Sequence, residues 1–242
     1  MSRVILITGA NSGIGYELVR LLAEKGHKIY LGARNLKSGQ DAARRLASDG
    51  VQNVHPIQID PSETTEAVRD HIEKVDGKLD VLVNNAGVGN FDKPQSPDVI
   101  QLPVLRAVFE TNFFGLVQTT TTLLPLVRKS SNGVILNVSS DLASNALQAR
   151  PDADFHYFSA YNASKVAVNS YTISLAGVLK KEGSNIKVNS ATPGLTATKL
   201  TGNAPSGKTP QEGARSLIPW ALLDKDGVTG HFFDDAGNKF PW

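Results

Sequence analysis

The stretch Arg3-Val4-Ile5-Leu6-Ile7-Thr8-Gly9-Ala10-Asn11-Ser12-Gly13-Ile14-Gly15 decides how this chain is read. Val4 to Ile7 are apolar without interruption, the pattern of a strand buried on both faces of a parallel sheet. Three glycines follow at once, and then Ile14, Leu18, Leu21 and Leu22 recur at helical spacing. Strand, glycine turn and amphipathic helix make a nucleotide-binding opening. Bare backbone lets a pyrophosphate approach, and the helix N-terminus offers N–H groups and a positive dipole. A tight strand–helix turn without a ligand is the plainer reading of the same residues. The spacing is Gly-x-x-x-Gly-x-Gly, not the Gly-x-Gly-x-x-Gly of the general dinucleotide fingerprint.

Strand and helix patterns alternate along the rest of the chain, with no linker, repeat or low-complexity segment. Buried strands are predicted at Val4–Thr8, Lys28–Ala33, Val54–Ile59, Val81–Asn84, Gly133–Val138, Ile186–Ala191 and near Gly230–Phe233. Helices are predicted at Gly13–Lys25, Ser38–Ser48, Glu63–Val75, Leu105–Lys129, Ala160–Lys181 and Pro210–Leu222. Such alternation implies one doubly wound α/β parallel sheet of about seven strands, with right-handed crossovers and helices on both faces. Ligands of such sheets bind beyond the C-terminal strand ends. Gly9, Arg34, Asp60, Asn85, Ser140 and Pro193-Gly194 each fall just past a predicted strand.

A second signal lies in Tyr161-Asn162-Ala163-Ser164-Lys165. Residues four apart on a helix share a face, and an ammonium near a phenol lowers its pKa and makes it a usable general acid or base. The isolated pair has an ordinary alternative, two side chains stacked on a solvated helix.

Taken in order, Thr8-Gly-x-x-x-Gly-Ile-Gly15, Asn84-Asn85-Ala86-Gly87, a serine ending the fifth strand, and Tyr161-x-x-x-Lys165 resemble the short-chain dehydrogenase/reductase family over essentially the whole chain. Gly32-Ala33-Arg34, Leu79 to Gly87, Thr111-Asn112-Phe113-Phe114-Gly115 and the tail from Thr209 to Trp242 look most like its NADPH-dependent carbonyl reductases. The resemblance implies a Rossmann-type fold and a catalytic set of Asn112, Ser140, Tyr161 and Lys165. It also implies a cofactor site of Gly9, Asn11, Ser12, Gly13, Ile14, Arg34, Asp60, Asn85, Ala86, Tyr161, Lys165, Pro193, Thr196 and Thr198.

Within that frame Asp60 is the acid expected at the adenine, with helix capping near Ser62 as its alternative, and the Asn85-Ala86-Gly87 turn lines the adenosine ribose. Thr196 and Thr198 meet the nicotinamide amide and the phosphates. Of Ser139 and Ser140, the resemblance gives the catalytic place to Ser140, and strand alternation turns Ser139 to the other side. Asn112 matches the asparagine that holds a water leading from Lys165 to solvent. An asparagine bonded to backbone inside a helix is the alternative reading.

The second strand ends in Ala33-Arg34, with no carboxylate for a ribose 2′-hydroxyl and a guanidinium suited to a 2′-phosphate, so NADP(H) is the expected cofactor. The glycine turn carries Asn11-Ser12 where related reductases often place a basic residue, leaving the phosphate to Arg34, helped by Lys37. The expected substrate site is formed by segments 141–158 and 195–208 of the same single domain, residues 1–242. Gly202, Pro205 and Gly207 suit a mobile lid. The cluster Phe155-His156-Tyr157-Phe158 either walls that pocket or packs its own loop onto the core.

Composition narrows the partners. The 242 residues are 40% hydrophobic and 20% charged, ordinary for a globular protein. A net charge of +2 makes no case for nucleic acid or anionic membrane. No cysteine is present, which removes disulfides, thiolate metal sites and a cysteine nucleophile; five scattered histidines suggest no metal. No apolar run approaches the ~20 residues of a membrane span, and the first strand begins too early for a leader peptide, so the cytoplasm is expected. The partner is a small carbonyl compound, and the chain is a monomer or homo-oligomer. Two further readings remain open: an NAD-dependent alcohol dehydrogenase working oxidatively, and a catalytically idle dinucleotide-binding interaction protein.

Overall fold

The computed structural model describes residues 2–61, 63–154 and 156–242. Strand and helix alternate as the apolar runs predict. The first half holds β1 (Val4–Ile7), α1 (Gly13–Glu24), β2 (Lys28–Ala33), α2 (Leu36–Ser48), β3 (Val54–Gln58), α3 (Thr65–Asp76) and β4 (Val81–Asn84). Then come α4 (Leu102–Phe109), α5 (Gly115–Val127), β5 (Val134–Val138), α6 (Asn145–Gln148), α7 (Ser159–Lys181), β6 (Lys187–Ala191), α8 (Pro210–Ala221) and β7 (Phe232–Phe233). Every pairing between these strands is parallel, and they join one sheet in the order β3-β2-β1-β4-β5-β6-β7.

The strands are apolar throughout because both faces are covered. Ile5 and Ile7 enter a core with Leu18 and Leu22 of α1, Leu46 of α2 and Leu217 of α8. Leu6, between them, enters the opposite core with Ile72 of α3, Leu126 of α5 and Leu179 of α7. Full burial of each such side chain contributes about 1.5–3 kcal/mol. Pro56 sits in β3, an edge strand, where a missing N–H costs least. Chain order reverses between β1 and β4, so the crevice at their C-terminal ends is the ligand position of a doubly wound sheet.

The helix predicted as one piece over Leu105–Lys129 begins earlier, ends at Val127 and is interrupted by a π-turn at Glu110–Phe114. One extra residue in a turn does not disturb an apolar periodicity enough to be seen in sequence, and such turns gather at functional sites. Gly115 follows it and is needed: a Cβ there would stand 2.9 Å from Pro61 Cγ. The third helix starts at Thr65, two residues later than predicted, because the Thr64 hydroxyl accepts the Asp60 N–H at 2.7 Å and closes a turn. The capping alternative that involved Ser62 lies outside the described residues.

A polar row crosses the otherwise apolar sheet. Asn84, Asn137 and Ser190 are register partners on β4, β5 and β6. Asn84 Nδ2 donates to Asn137 Oδ1 and Thr120 Oγ1, both at 2.8 Å, and Asn137 Nδ2 donates to Thr172 Oγ1 at 2.8 Å. Thr172 Oγ1 and Ser190 Oγ share a further bond at 2.8 Å. Asn137 is completely buried, so removing it strands donor and acceptor groups that water cannot reach. Asn137→Leu is expected to lower unfolding free energy by about 2–4 kcal/mol, from two lost bonds and the groups they orphan. Urea denaturation checks this, and a loss under about 0.5 kcal/mol would contradict it.

Candidate active site

Gly9 and Gly13 take φ of +62° and +58°, and a Cβ on Gly9 would stand 2.7 Å from Ala86 Cα. Only glycine fits both the left-handed backbone and that approach. The contact is fixed by Thr8, whose Oγ1 accepts the N–H of Asn85 and of Ala86, each at 3.0 Å. The Asn85 side chain turns inward and donates to the carbonyls of Thr8 (2.9 Å) and Gly9 (3.2 Å). Asn85 thus holds the glycine turn, which its expected place beside a ribose did not reveal.

Ser12 precedes α1 without a side-chain cap, and the first turn holds no acidic residue. The helix therefore presents N–H groups and positive dipole to the crevice. These features fit a bound dinucleotide: close backbone, an uncapped helix end and room beside them. Arg34 is exposed at the crevice end of β2 and makes no ion pair among the described residues. Arg45, not singled out in sequence, reaches the turn from α2. Its Nη2 donates to the Asn11 carbonyl at 3.4 Å, and its guanidinium lies 5.3 Å from the Tyr16 ring centroid. Lying eleven positions beyond Arg34, it carries no local signature.

One cavity of about 1580 Å³ runs over the C-terminal strand ends. Gly9, Asn11, Ser12, Gly13, Ile14, Arg34, Asp60, Asn85, Ala86, Ser140, Tyr161, Lys165, Pro193, Thr196 and Thr198 all line it. Asn112 does not; it is fully buried. From the π-turn its Oδ1 accepts the Val88 N–H at 2.8 Å, and its Nδ2 donates to the Val88 carbonyl at 2.9 Å and Ser164 Oγ at 3.0 Å. Its side chain thus bonds the backbone of a different segment, not that of its own helix. Gly87 keeps a gap beside it: a Cβ there would lie 3.4 Å from Asn112 Oδ1 and 3.6 Å from Lys165 Nζ.

Ser139 borders the cavity but is buried, and its hydroxyl donates to Asn169 Oδ1 at 2.8 Å. Ser140 lies two residues past β5, accepts the Leu142 N–H at 3.3 Å, and faces the Tyr161 phenol. Tyr161 and Lys165 are 8% and 4% exposed. Lys165 Nζ donates to the Val138 carbonyl at 2.9 Å and lies 5.8 Å from the Tyr161 ring centroid.

The expected lowering of the phenol pKa by Lys165 is not what this geometry gives. Burial pushes Tyr161 up to about 12, the Ser140 hydrogen bond pulls it down, and the nearby Asp141 raises it further. Burial lowers Lys165 to about 8. The ammonium is engaged by a backbone carbonyl and is itself desolvated, so its field does not offset the phenol's loss of water.

Two segments flank this group. Leu142, Leu147 and Phe158 of the 141–158 stretch line the cavity. Phe158 packs edge-on against Phe91 at 5.0 Å, Tyr157 is 66% exposed, and Phe155 lies outside the described residues. The aromatic cluster therefore divides, one ring inward and one to solvent. Phe91 also meets the Tyr161 ring edge-on at 5.2 Å, and Phe240 of the tail reaches the cavity; neither was evident from sequence. The 195–208 segment is tied at its neck, where Lys208 N–H donates to Leu195 O (2.9 Å) and Ala197 N–H to Lys208 O (2.8 Å). Lys208 also pairs with Asp235.

A parallel sheet with a glycine turn at its switch point and a Ser–Tyr–Lys group in the crevice defines a doubly wound α/β protein of Rossmann type. The chain belongs to the short-chain dehydrogenase family, whose model matches residues 3–209, and is an oxidoreductase of that family. It is 32% identical to mouse (Mus musculus) carbonyl reductase (NADPH) 1, over 99% of this chain and 98% of that one. Salutaridine reductase from Papaver somniferum superposes with a TM-score of 0.79 at 27% identity, covering 95% of this chain and 99% of that one. A short-chain dehydrogenase structure from Escherichia coli CFT073, complexed with NADPH, superposes with a TM-score of 0.81 at 27% identity, covering 96% of each chain. No helix among the described residues is long and apolar enough to cross a membrane.

Lys165 makes a pH test of the buried site. Its folded pKa lies below its unfolded one, so below about pH 8 the folded state carries the full penalty of the buried charge. As pH rises from about 8 toward 10 the unfolded chain holds the extra proton, and the penalty is relieved. Relative to Lys165→Met, the unmodified protein should gain on the order of 2–3 kcal/mol in unfolding free energy between pH 7 and 10. Denaturant titrations of both across that range check this, and a constant difference would contradict it.

Proposed function

We propose that this chain reduces a ketone or aldehyde to an alcohol with NADPH, Tyr161 serving as general acid. The observation that carries the reading is the buried Lys165 beside Tyr161 and Ser140 at the mouth of the glycine crevice. A buried ammonium is costly, and nucleotide binding alone does not call for one set beside a phenol and a serine hydroxyl. NADPH, when bound, supplies the hydride. Gly9, Asn11, Ser12, Gly13 and Ile14 would hold its pyrophosphate, Arg34 its 2′-phosphate, Asp60 and Ala86 its adenosine, and Pro193, Thr196 and Thr198 its nicotinamide end. Ala33 and Arg34 favour this cofactor over NAD, which disfavours the oxidative alcohol dehydrogenase reading. The mouse relative's name and the Escherichia coli complex support the same choice.

Tyr161 stays protonated at neutral pH, as a proton donor must. Ser140 donates a hydrogen bond to the carbonyl oxygen and polarises it. Lys165 remains cationic below about pH 8 and favours the phenolate left behind. The gap that Gly87 leaves beside Asn112 and Lys165 is the entry for a replacement proton through water. Substrate binds between segments 141–158 and 195–208 of one domain spanning 1–242, with Leu142, Leu147, Phe91 and Phe158 as an apolar wall. That wall favours carbonyls with a bulky apolar substituent.

Arg34→Ala is expected to weaken NADPH binding by about 1.5–3 kcal/mol, the worth of a charge-assisted bond, and to leave NADH almost unchanged. Fluorescence titration with both nucleotides checks this; equal weakening would make Arg34 structural. Tyr161→Phe should keep the fold and NADPH affinity while turnover falls by about 10²–10⁴. Near-normal carbonyl reduction by a folded Tyr161→Phe protein would sink the assignment.

A further inference from the structure

α7 lacks a local cap: Phe158 precedes it, and among the described residues no neighbouring side chain caps its first N–H groups. The partner arrives from Gln95, in the loop after β4. Its backbone carbonyl accepts the Ser159 N–H at 3.2 Å and also the Ser159 hydroxyl, and its side-chain Oε1 accepts the Tyr161 N–H at 3.2 Å. The other end of the same amide donates to the carbonyls of Gly89 (2.6 Å) and Asn90 (3.0 Å). Gln95 is 3% exposed, so water cannot replace these bonds. Both ends of one buried amide are thus committed, one to the backbone of Tyr161 and one to the loop that carries Phe91 onto the Tyr161 ring.

We propose that Gln95 is a positioning residue for Tyr161: it caps the catalytic helix from outside and fixes the phenol and the Phe91 wall to each other. It touches none of the reacting groups. Five hydrogen-bonded groups converge on it at the first turn of α7, while the Asn112–Ser164 and Lys165–Val138 bonds hold the turn that follows. Displacement of an acid by about 1 Å is enough to cost about 10²-fold in rate. The glycine turn at Gly9 and Arg34 lie on other elements, after β1 and β2.

The inference rests on the reductase reading for its activity arm, so the test pairs kcat with hydrogen exchange, which needs no turnover. Gln95→Met keeps the side-chain length and removes its three side-chain hydrogen bonds, leaving the backbone carbonyl's bonds to Ser159 in place. It should lower kcat by about 10²-fold, leave NADPH affinity within about twofold, and raise exchange at residues 159–163 at least tenfold. Exchange over 168–181 should be unchanged. Gln95→Glu retains the acceptor for the Tyr161 N–H and should recover about tenfold of that kcat. If Gln95→Met does not fold, Gln95→Asn, one methylene too short for the Tyr161 N–H, should give the same split. Unchanged exchange at 159–163, or exchange and NADPH affinity failing together across the whole helix, would overturn the proposal. So would equal kcat in the Met and Glu variants. If the unmodified protein reduces no carbonyl, the reductase reading falls while the exchange result still judges Gln95.

Discussion

The close passage of Gly9 against Ala86 is the constraint on which the rest of this molecule depends. It brings the ends of β1 and β4 together where chain order reverses, and it tolerates no side chain on Gly9. Thr8 and Asn85 hold it with four hydrogen bonds that link the two strand ends directly. A backbone crevice results, with the uncapped N-terminus of α1 opening into it. Every other feature of the site is positioned relative to that crevice: Arg34 at one end, and Ser140, Tyr161 and Lys165 at the other.

The site uses burial in two ways. An apolar sheet with both faces covered allows a polar row through Asn84, Asn137, Thr172 and Ser190 because each is hydrogen-bonded to the next, though Asn84 Oδ1 itself has no partner among the described residues. Two and three turns from Thr172 along the same helix, Lys165 and Tyr161 are desolvated with fewer partners, and their protonation is shifted in opposite directions. Those shifts keep the phenol neutral and the ammonium charged at neutral pH. That is the pair of states a proton donor and its stabilising cation need.

Much of this was legible in the sequence. Val4–Ile7, Val81–Asn84 and Lys28–Ala33 are apolar runs bounded by turns, and their strands begin and end within a residue of where those runs place them. The glycine spacing and the Tyr161–Lys165 interval mark groups that the fold does bring into one cavity. What escaped the sequence is whatever depends on distance in space. The π-turn at Glu110–Phe114 leaves the apolar periodicity nearly intact. Gln95 owes its place to a helix terminus 64–66 positions away, and Phe240 to the return of the tail. Lys165 was expected to acidify Tyr161 because spacing reports proximity but not desolvation, and here desolvation is larger.

The central claim is that hydride passes from NADPH to a carbonyl carbon within this crevice. The most direct measurement uses NADPH deuterated at the transferring carbon, with the unmodified protein and a panel of ketones and aldehydes bearing bulky apolar groups. Mass spectrometry then locates the label in the products. The account expects one deuterium per turnover on the carbinol carbon, delivered to a single face, with none on the hydroxyl oxygen. Tight NADPH binding with no labelled alcohol across the panel would contradict it and favour a nucleotide-binding protein without reductase activity.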